Sequence, residues 1–264
     1  MRAAKRKPGT GQARGLWDRP LVMNHVADIL FFVSVLVLGY VAVMAALRLP
    51  FFPLREVTVV GPLQHVTQAQ IEYAARSALT GNFFTVNLSA ARAAFEKLPW
   101  VRHVQVRRMW PNGIELELEE HVAAGVWKQG ESGESRLVNV QGEVFAAASN
   151  AVLPLLGGPQ GSAPAVLARY RAFSELVAPL GRKPQSVMLS ARLAWQLRLD
   201  DGLVVQLGRD QQKSPVSERL ARFITSYTEA TEKLRAPAAT ADLRYPNGFA
   251  LKLGRGRIET KSKR

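Results

Sequence analysis

The side chains best equipped for chemistry in this chain are four histidines and a run of carboxylates. His25, His65, His103 and His121 are scattered, with none of the short spacings by which two side chains on one helix or turn share a metal ion. Glu115, Glu117, Glu119 and Glu120 lie close enough to suggest a carboxylate pair for glycan cleavage. However, three of them alternate with Ile114, Leu116 and Leu118, which is the pattern of a strand with one wet and one buried face. The chain has no cysteine, which removes disulfides, Cys-based zinc sites and thiol catalysis and leaves the redox compartment open. Ser-x-x-Lys, Gly-x-Ser-x-Gly and glycine-rich phosphate loops are also missing. These residues predict neither an enzyme nor a cofactor or metal site, so function is to be sought in surfaces.

Two surfaces are announced by one repeated device. WPNGIELEL begins at Trp110 and YPNGFALKL at Tyr245; in each, an aromatic residue and a proline lead into Asn-Gly. That pair readily takes the positive φ of a tight hairpin turn, and alternating apolar residues follow as a strand. After the second turn these are Phe249, Leu251 and Leu253, in the last apolar segment before a basic tail, so this strand is expected at a sheet edge.

The formal charge of +14 is concentrated at the ends. Residues 1–28 hold six Lys/Arg and two Asp, and residues 252–264 hold six Lys/Arg and one Glu. A duplex-binding domain would gather its cations on one folded face, so the pattern does not predict nucleic-acid binding. Between the ends, Ile29 to Leu47 is uncharged for nineteen residues, roughly 28 Å as a helix and enough to cross a bilayer. The apolar run is too long for a signal peptide and ends at no small-residue cleavage site, so it is expected to remain as an anchor. The cations before it predict a cytoplasmic tail over residues 1–28, a span over 29–48 and an exported body.

In the body, residues 55–61 predict a strand. A helix over 67–79 opens on a Thr67/Gln70 capping box, and a second helix over 89–98 is stopped by Pro99. The hairpin through Pro111-Asn112-Gly113 completes β-α-α-β-β, a module over 51–121 with two helices on one face of a three-stranded sheet. Residues 122–253 predict a second module with its own core: short strands at GVWK, RLVNV and EVFAA, a helix over 165–180, three strands through SVMLS and RLAWQLRLDDGLVVQLGR, a helix over 216–235 and a final strand pair. Leu193, Trp195, Leu197 and Leu199 are expected inward, and Arg169 outward on a solvated helix. The fold class is α+β, with a single transmembrane helix, a β-α-α-β-β module and a largely antiparallel β domain with flanking helices. Residues 254–264 form a basic C-terminal tail.

LPWVRHVQVRRMWPNGIELELEEHVAAGVW, behind a single span, resembles the POTRA module and its exit in the FtsQ/DivIB family of bacterial division proteins. VLPLLGGPQGSAPAVLARYRAF, SARLAWQLRLDDGLVVQLGRD, ERLARFITSY and DLRYPNGFALKL resemble the family in the same order. The resemblance implies a noncatalytic scaffold at the division septum, in the bacterial inner membrane with its body in the periplasm. It implies FtsB as a partner that adds a strand to the last strand region, in a complex that also contains FtsL. By position it assigns partner contacts to Arg192, Arg244 and Tyr245, and to the strand region of Asn247, Gly248, Phe249, Ala250, Leu251, Lys252 and Leu253. Pro246 and Phe249 depart from the smaller or more polar residues common there. Two alternatives remain: a POTRA-bearing polypeptide chaperone, which would normally carry repeated modules or a barrel, and a wall hydrolase.

Overall fold

The computed structural model describes residues 20–49, 52–129, 135–234, 238–245 and 248–253. Helix α1 covers Pro20–Arg48, and its stretch Met23–Leu47 is long and apolar enough to cross a membrane. The helix starts nine residues before the uncharged run. Proline suits a first helical turn, and backbone hydrogen bonding continues through His25 and Asp28 whatever their polarity.

The first module runs β1 (Glu56–Val60), α2 (Gln68–Ala78), α3 (Leu88–Phe95), β2 (Val101–Met109) and β3 (Gly113–Glu120). Helix α2 opens on the full Thr67/Gln70 capping box, and α3 is capped by the Asn87 side chain on Ala90 N–H. Strand β3 is central, parallel to β1 and antiparallel to β2. That position corrects the expectation of a uniformly wet carboxylate face. Glu115 is buried between its neighbours and pairs with Arg107, which stands opposite it on β2. The turn also differs from the expectation: Met109 pairs with Gly113, the Trp110–Pro111 bond is cis, and neither Asn112 nor Gly113 takes positive φ.

The second module contains β4 (Ala123–Gln129), β5 (Ser135–Asn139), β6 (Val144–Phe145), β7 (Leu155–Gly158) and α4 (Ala163–Val177), which runs into a 3-10 turn over Ala178–Leu180. There follow β8 (Pro184–Leu189), β9 (Ala194–Leu199), β10 (Val204–Arg209), α5 (Val216–Leu234), β11 (Ala238–Asp242) and β12 (Ala250–Leu253). Among the described residues these strands form one nine-stranded sheet in the order β12-β11-β10-β9-β8-β7-β4-β5-β6. The β11–β10, β8–β7 and β7–β4 pairs are parallel and the other five antiparallel. Strand β7 has no alternating pattern. It is four residues with two glycines, and a Cβ on Gly157 would meet the backbone oxygen of Lys128 on β4 at 2.8 Å, so close sheet packing requires the missing side chain.

Helices α4 and α5 close the second core through Val166, Phe173, Val216, Leu220 and Phe223 against Val187, Leu197 and Val205. Trp195, Leu197 and Leu199 point inward as expected. Leu193 does not. It sits before β9 with φ 60° and is exposed, because the tight turn after Leu189 places it outside the strand alternation. Arg169 is likewise not simply solvated: it pairs with Asp210 and lies 5.7 Å over the Trp195 ring.

The first core does not stop at the join between modules. Trp100, Val101 and Leu118 belong to the same buried cluster as Leu137 and Phe145 of β5 and β6, and Trp100 meets Phe145 edge-on at 5.4 Å. The expectation of two separate cores is therefore replaced by two clusters, one of which bridges the modules.

Candidate functional site

Strand β12 is held on one side only. Asp242, Ala241, Thr240 and Ala238 of β11 face Ala250, Leu251, Lys252 and Leu253, with a bulge at Ala239. No described strand pairs with its outer side, which leaves a row of backbone donors and acceptors unused by the sheet. The bulge adds one residue on β11 and leaves the alternation along β12 intact. Phe249 and Leu251 pack partly against the core, while Leu253, of the same parity, is exposed at the strand end, as are Ala250 and Lys252.

The entry to this strand is built from α5. Phe223 meets Phe249 edge-on at 5.1 Å and Tyr227 at 4.9 Å, so the strand start is set by an aromatic contact with the helix. A cavity of about 360 Å³ opens here, lined by Arg219, Arg222, Phe223, Tyr245, Gly248 and Phe249. Tyr245 is exposed at its edge. Gly248 is exposed; Pro246 and Asn247, and with them the second Asn-Gly turn, lie outside the described residues.

Arg219 underlies this end of the sheet. It is buried, and its guanidinium donates to the carbonyl oxygens of Arg209 and Leu243, joining the ends of β10 and β11. Its Nε has no partner among the described residues. Burial pulls the group below the usual arginine value, with Asp210 opposing. The sequence reading passed over it, yet it carried a signal: Arg219 stands three residues after Val216 and four before Phe223, on the apolar stripe of α5. Beside it, Gly208 makes room for Arg244. At φ +73° in a bulge of β10, its Cβ position lies 3.0 Å from Arg244 Cγ and 3.6 Å from Arg219 Nη1.

Arg244 follows β11 and is exposed, but it is not an idle charge. Its Nε and Nη2 bind both oxygens of Asp242, at 2.9–3.0 Å and 2.6 Å. That pairing raises the arginine and lowers the aspartate from their ordinary values. Arg192 is exposed in the β8–β9 turn. Because Ala194 pairs with Arg209 and Leu243 N–H binds the Gln206 carbonyl, the chain around Arg192, Arg209 and Arg244 lies at one end of three neighbouring strands. The structure thus brings Arg192, Arg244, Tyr245, Gly248, Phe249, Ala250, Leu251, Lys252 and Leu253 to one corner of the sheet, with cations at the strand ends and an open backbone edge beside them.

The histidines are less scattered in space than in sequence. His65, His103 and His121 line one cavity of about 680 Å³ at the junction of the modules. No described group of three His, Cys, Asp or Glu could hold a metal ion. Burial alone would raise Glu120, but the backbone N–H groups of Val66 and Gln64, followed by the side chain and backbone of His65, hold its carboxyl below the usual range. His65 stacks on Trp100 at 3.7 Å and His121 on Phe145 at 4.1 Å. Asn139, wholly buried, donates to His121 Nδ1 at 2.9 Å and accepts from Gln141 and Glu143 N–H groups. This arrangement organises the junction through hydrogen bonds and ring stacking.

One described helix long enough for a membrane, a β-α-α-β-β module and an α+β body ending on an open strand fit a single-pass membrane protein. Residues 52–121 match the POTRA domain of FtsQ type, and residues 125–244 match the C-terminal region of the cell division proteins FtsQ/DivIB. The chain is 39% identical over 240 residues to the cell division protein FtsQ of Burkholderia pseudomallei, covering 90% of this chain and 94% of that protein. It is 38% identical to FtsQ of Nitrosospira multiformis, over 89% of this chain and 98% of that protein, and 31% identical to FtsQ of Coxiella burnetii, over 90% and 94%. The chain belongs to the FtsQ/DivIB family of cell division proteins.

Proposed function

We propose that this protein is a noncatalytic scaffold of the division machinery that recruits an FtsB-like chain, and FtsL with it, by strand addition to β12. The observation that carries this is the open edge of Ala250–Leu253 beside the cations of the sheet end. Backbone hydrogen bonds supply general affinity in such a complex, and alternate side chains with neighbouring charges choose the partner. Arg192 and Lys252 suit an acidic segment, and the cavity between Phe223, Tyr245 and Phe249 suits an apolar anchor from it. In this reading the N-terminus is cytoplasmic and the body periplasmic, at the septum; the excess of cations before α1 supports that orientation.

Depletion of the protein in its native bacterium tests the scaffold reading. Filaments without septa are the expected result. Defects confined to envelope-protein assembly would favour a chaperone, and altered glycan products a wall hydrolase.

A further inference from the structure

The Trp-Pro-Asn-Gly turn, the first of the two Pro-Asn-Gly turns, has a location that the pairing of β2 and β3 does not require. It lies where the chain leaves the membrane helix. Asn112 O accepts from Arg55 N–H at 3.1 Å, six residues beyond Leu49. Arg108, two residues before Trp110, donates its Nε to Phe83 O at 2.8 Å. Phe83 N–H in turn donates to Phe52 O at 3.0 Å.

The same loop grips the helix itself. Asn82 Nδ2 donates to Leu47 O at 2.6 Å and to Leu49 O at 3.1 Å, satisfying carbonyls left open at the end of α1. Asn82 Oδ1 accepts from Phe84 and Thr85 N–H groups, so one buried amide ties the first module to the last residue of the candidate span. The module is thereby fixed at the level where hydrocarbon gives way to headgroups.

What it displays there is apolar. Leu49, Phe52, Phe84 and Met109 are exposed, and Trp110 is 84% exposed, with Phe52 and Phe84 edge-on at 5.0 Å. Exposed aromatic rings at the end of a span are the chemistry of the bilayer interface, where an apolar ring and a polar N–H are both accommodated. The interface is roughly 5–8 Å deep on each side of the hydrocarbon, enough for a hairpin tip. We propose that this collar, with Trp110 at its tip, docks the first module on the bilayer surface, so that the body is held at a set angle instead of swinging on a tether. The proposal is independent of the partner site and rests on α1 spanning the membrane.

Because the chain has no cysteine, one nitroxide can be placed at will in the full-length protein. The protein is reconstituted in phosphatidylethanolamine/phosphatidylglycerol vesicles, and relaxation by oxygen and by a water-soluble nickel chelate is compared for labels at Met109→Cys, Leu36→Cys and Val152→Cys. Val152 is fully exposed; its neighbours Ala151 and Leu153 line the cavity with Trp100, at the far end of β2, roughly 27 Å from the tip. The label at 109 should show an oxygen-to-nickel ratio severalfold above that at 152 and below that at 36. Adding Trp110→Ser should bring it down towards the value at 152. A label at 109 as open to nickel as that at 152, while 36 lies in hydrocarbon, overturns the docking and leaves the span intact. A label at 109 shielded from both relaxers marks a protein contact and also overturns it. A label at 36 open to nickel overturns the span, and the docking with it.

Discussion

At the residue scale, the side chains that organise the molecule are buried polar groups. Asn139 uses its amide to join the β5–β6 turn to His121, and no apolar residue replaces both its donor and its acceptor. Asn139→Ala leaves two backbone N–H groups short of a partner and should lower stability by about 2 kcal/mol in urea unfolding. His121 accepts from Asn139 at Nδ1, which requires the unprotonated nitrogen. Burial lowers its value first, and Glu143 opposes this. The folded state therefore favours the neutral ring. That contribution is complete above the ordinary histidine value of about 6.5 and declines as pH falls from there towards the depressed folded value. As pH falls below about 6.5, the Tm of the parental protein should fall more steeply than that of His121→Gln; equal slopes would remove His121 from the account. Such residues were hidden from sequence reading because Asn139 and Arg219 acquire their roles only when distant strands meet. Arg219 alone left a trace, as a cation on an apolar helical stripe.

At the scale of elements, alternation and capping residues foretold most strands and helices, since they act within a few residues. The Thr67/Gln70 box and the β9 alternation of Trp195, Leu197 and Leu199 illustrate this. Strand β7 was illegible because two glycines remove the pattern, and Leu193 misled because its parity continued through a turn. The terminal strand was legible as a strand and as an edge; the bulge in its neighbour β11 was not, nor was the exposure of Leu253 at the strand end. If β12 receives a partner strand, Leu251→Pro should abolish co-purification with an FtsB-like chain by removing a backbone N–H, while circular dichroism stays near parental. Tyr245→Ala should weaken binding with little change in stability, because the ring is exposed. Phe249→Ala should lower both, because it also loses Phe223. Arg192→Glu is the clean test of an acidic partner. Arg244→Glu additionally sets a carboxylate beside Asp242 and disturbs the strand end itself. Arg169 serves poorly as a control, since reversal there breaks its contacts with Asp210 and Trp195.

At the scale of the whole molecule, the body is a chain of fixed joints: Asn82 at the helix end, then Trp100 against Phe145 at the module junction, then Phe223 against Phe249 at the terminal edge. The junction makes the modules cooperative. Phe145→Ala should cost about 3–4 kcal/mol and separate one unfolding transition into two by calorimetry, whereas a parental protein that already unfolds in two steps would show the shared cluster to be weak. Under the proposed function, joints of this kind would hold the binding edge at a set place relative to the membrane. The central claim, that the edge acts by backbone pairing, is tested most directly by hydrogen exchange at Ala250–Leu253 while the C-terminal segment of an FtsB-like partner is titrated in. Strand addition predicts that amides facing outward from β12 become protected in step with binding. Saturable binding of the segment with exchange at β12 unchanged would contradict the account.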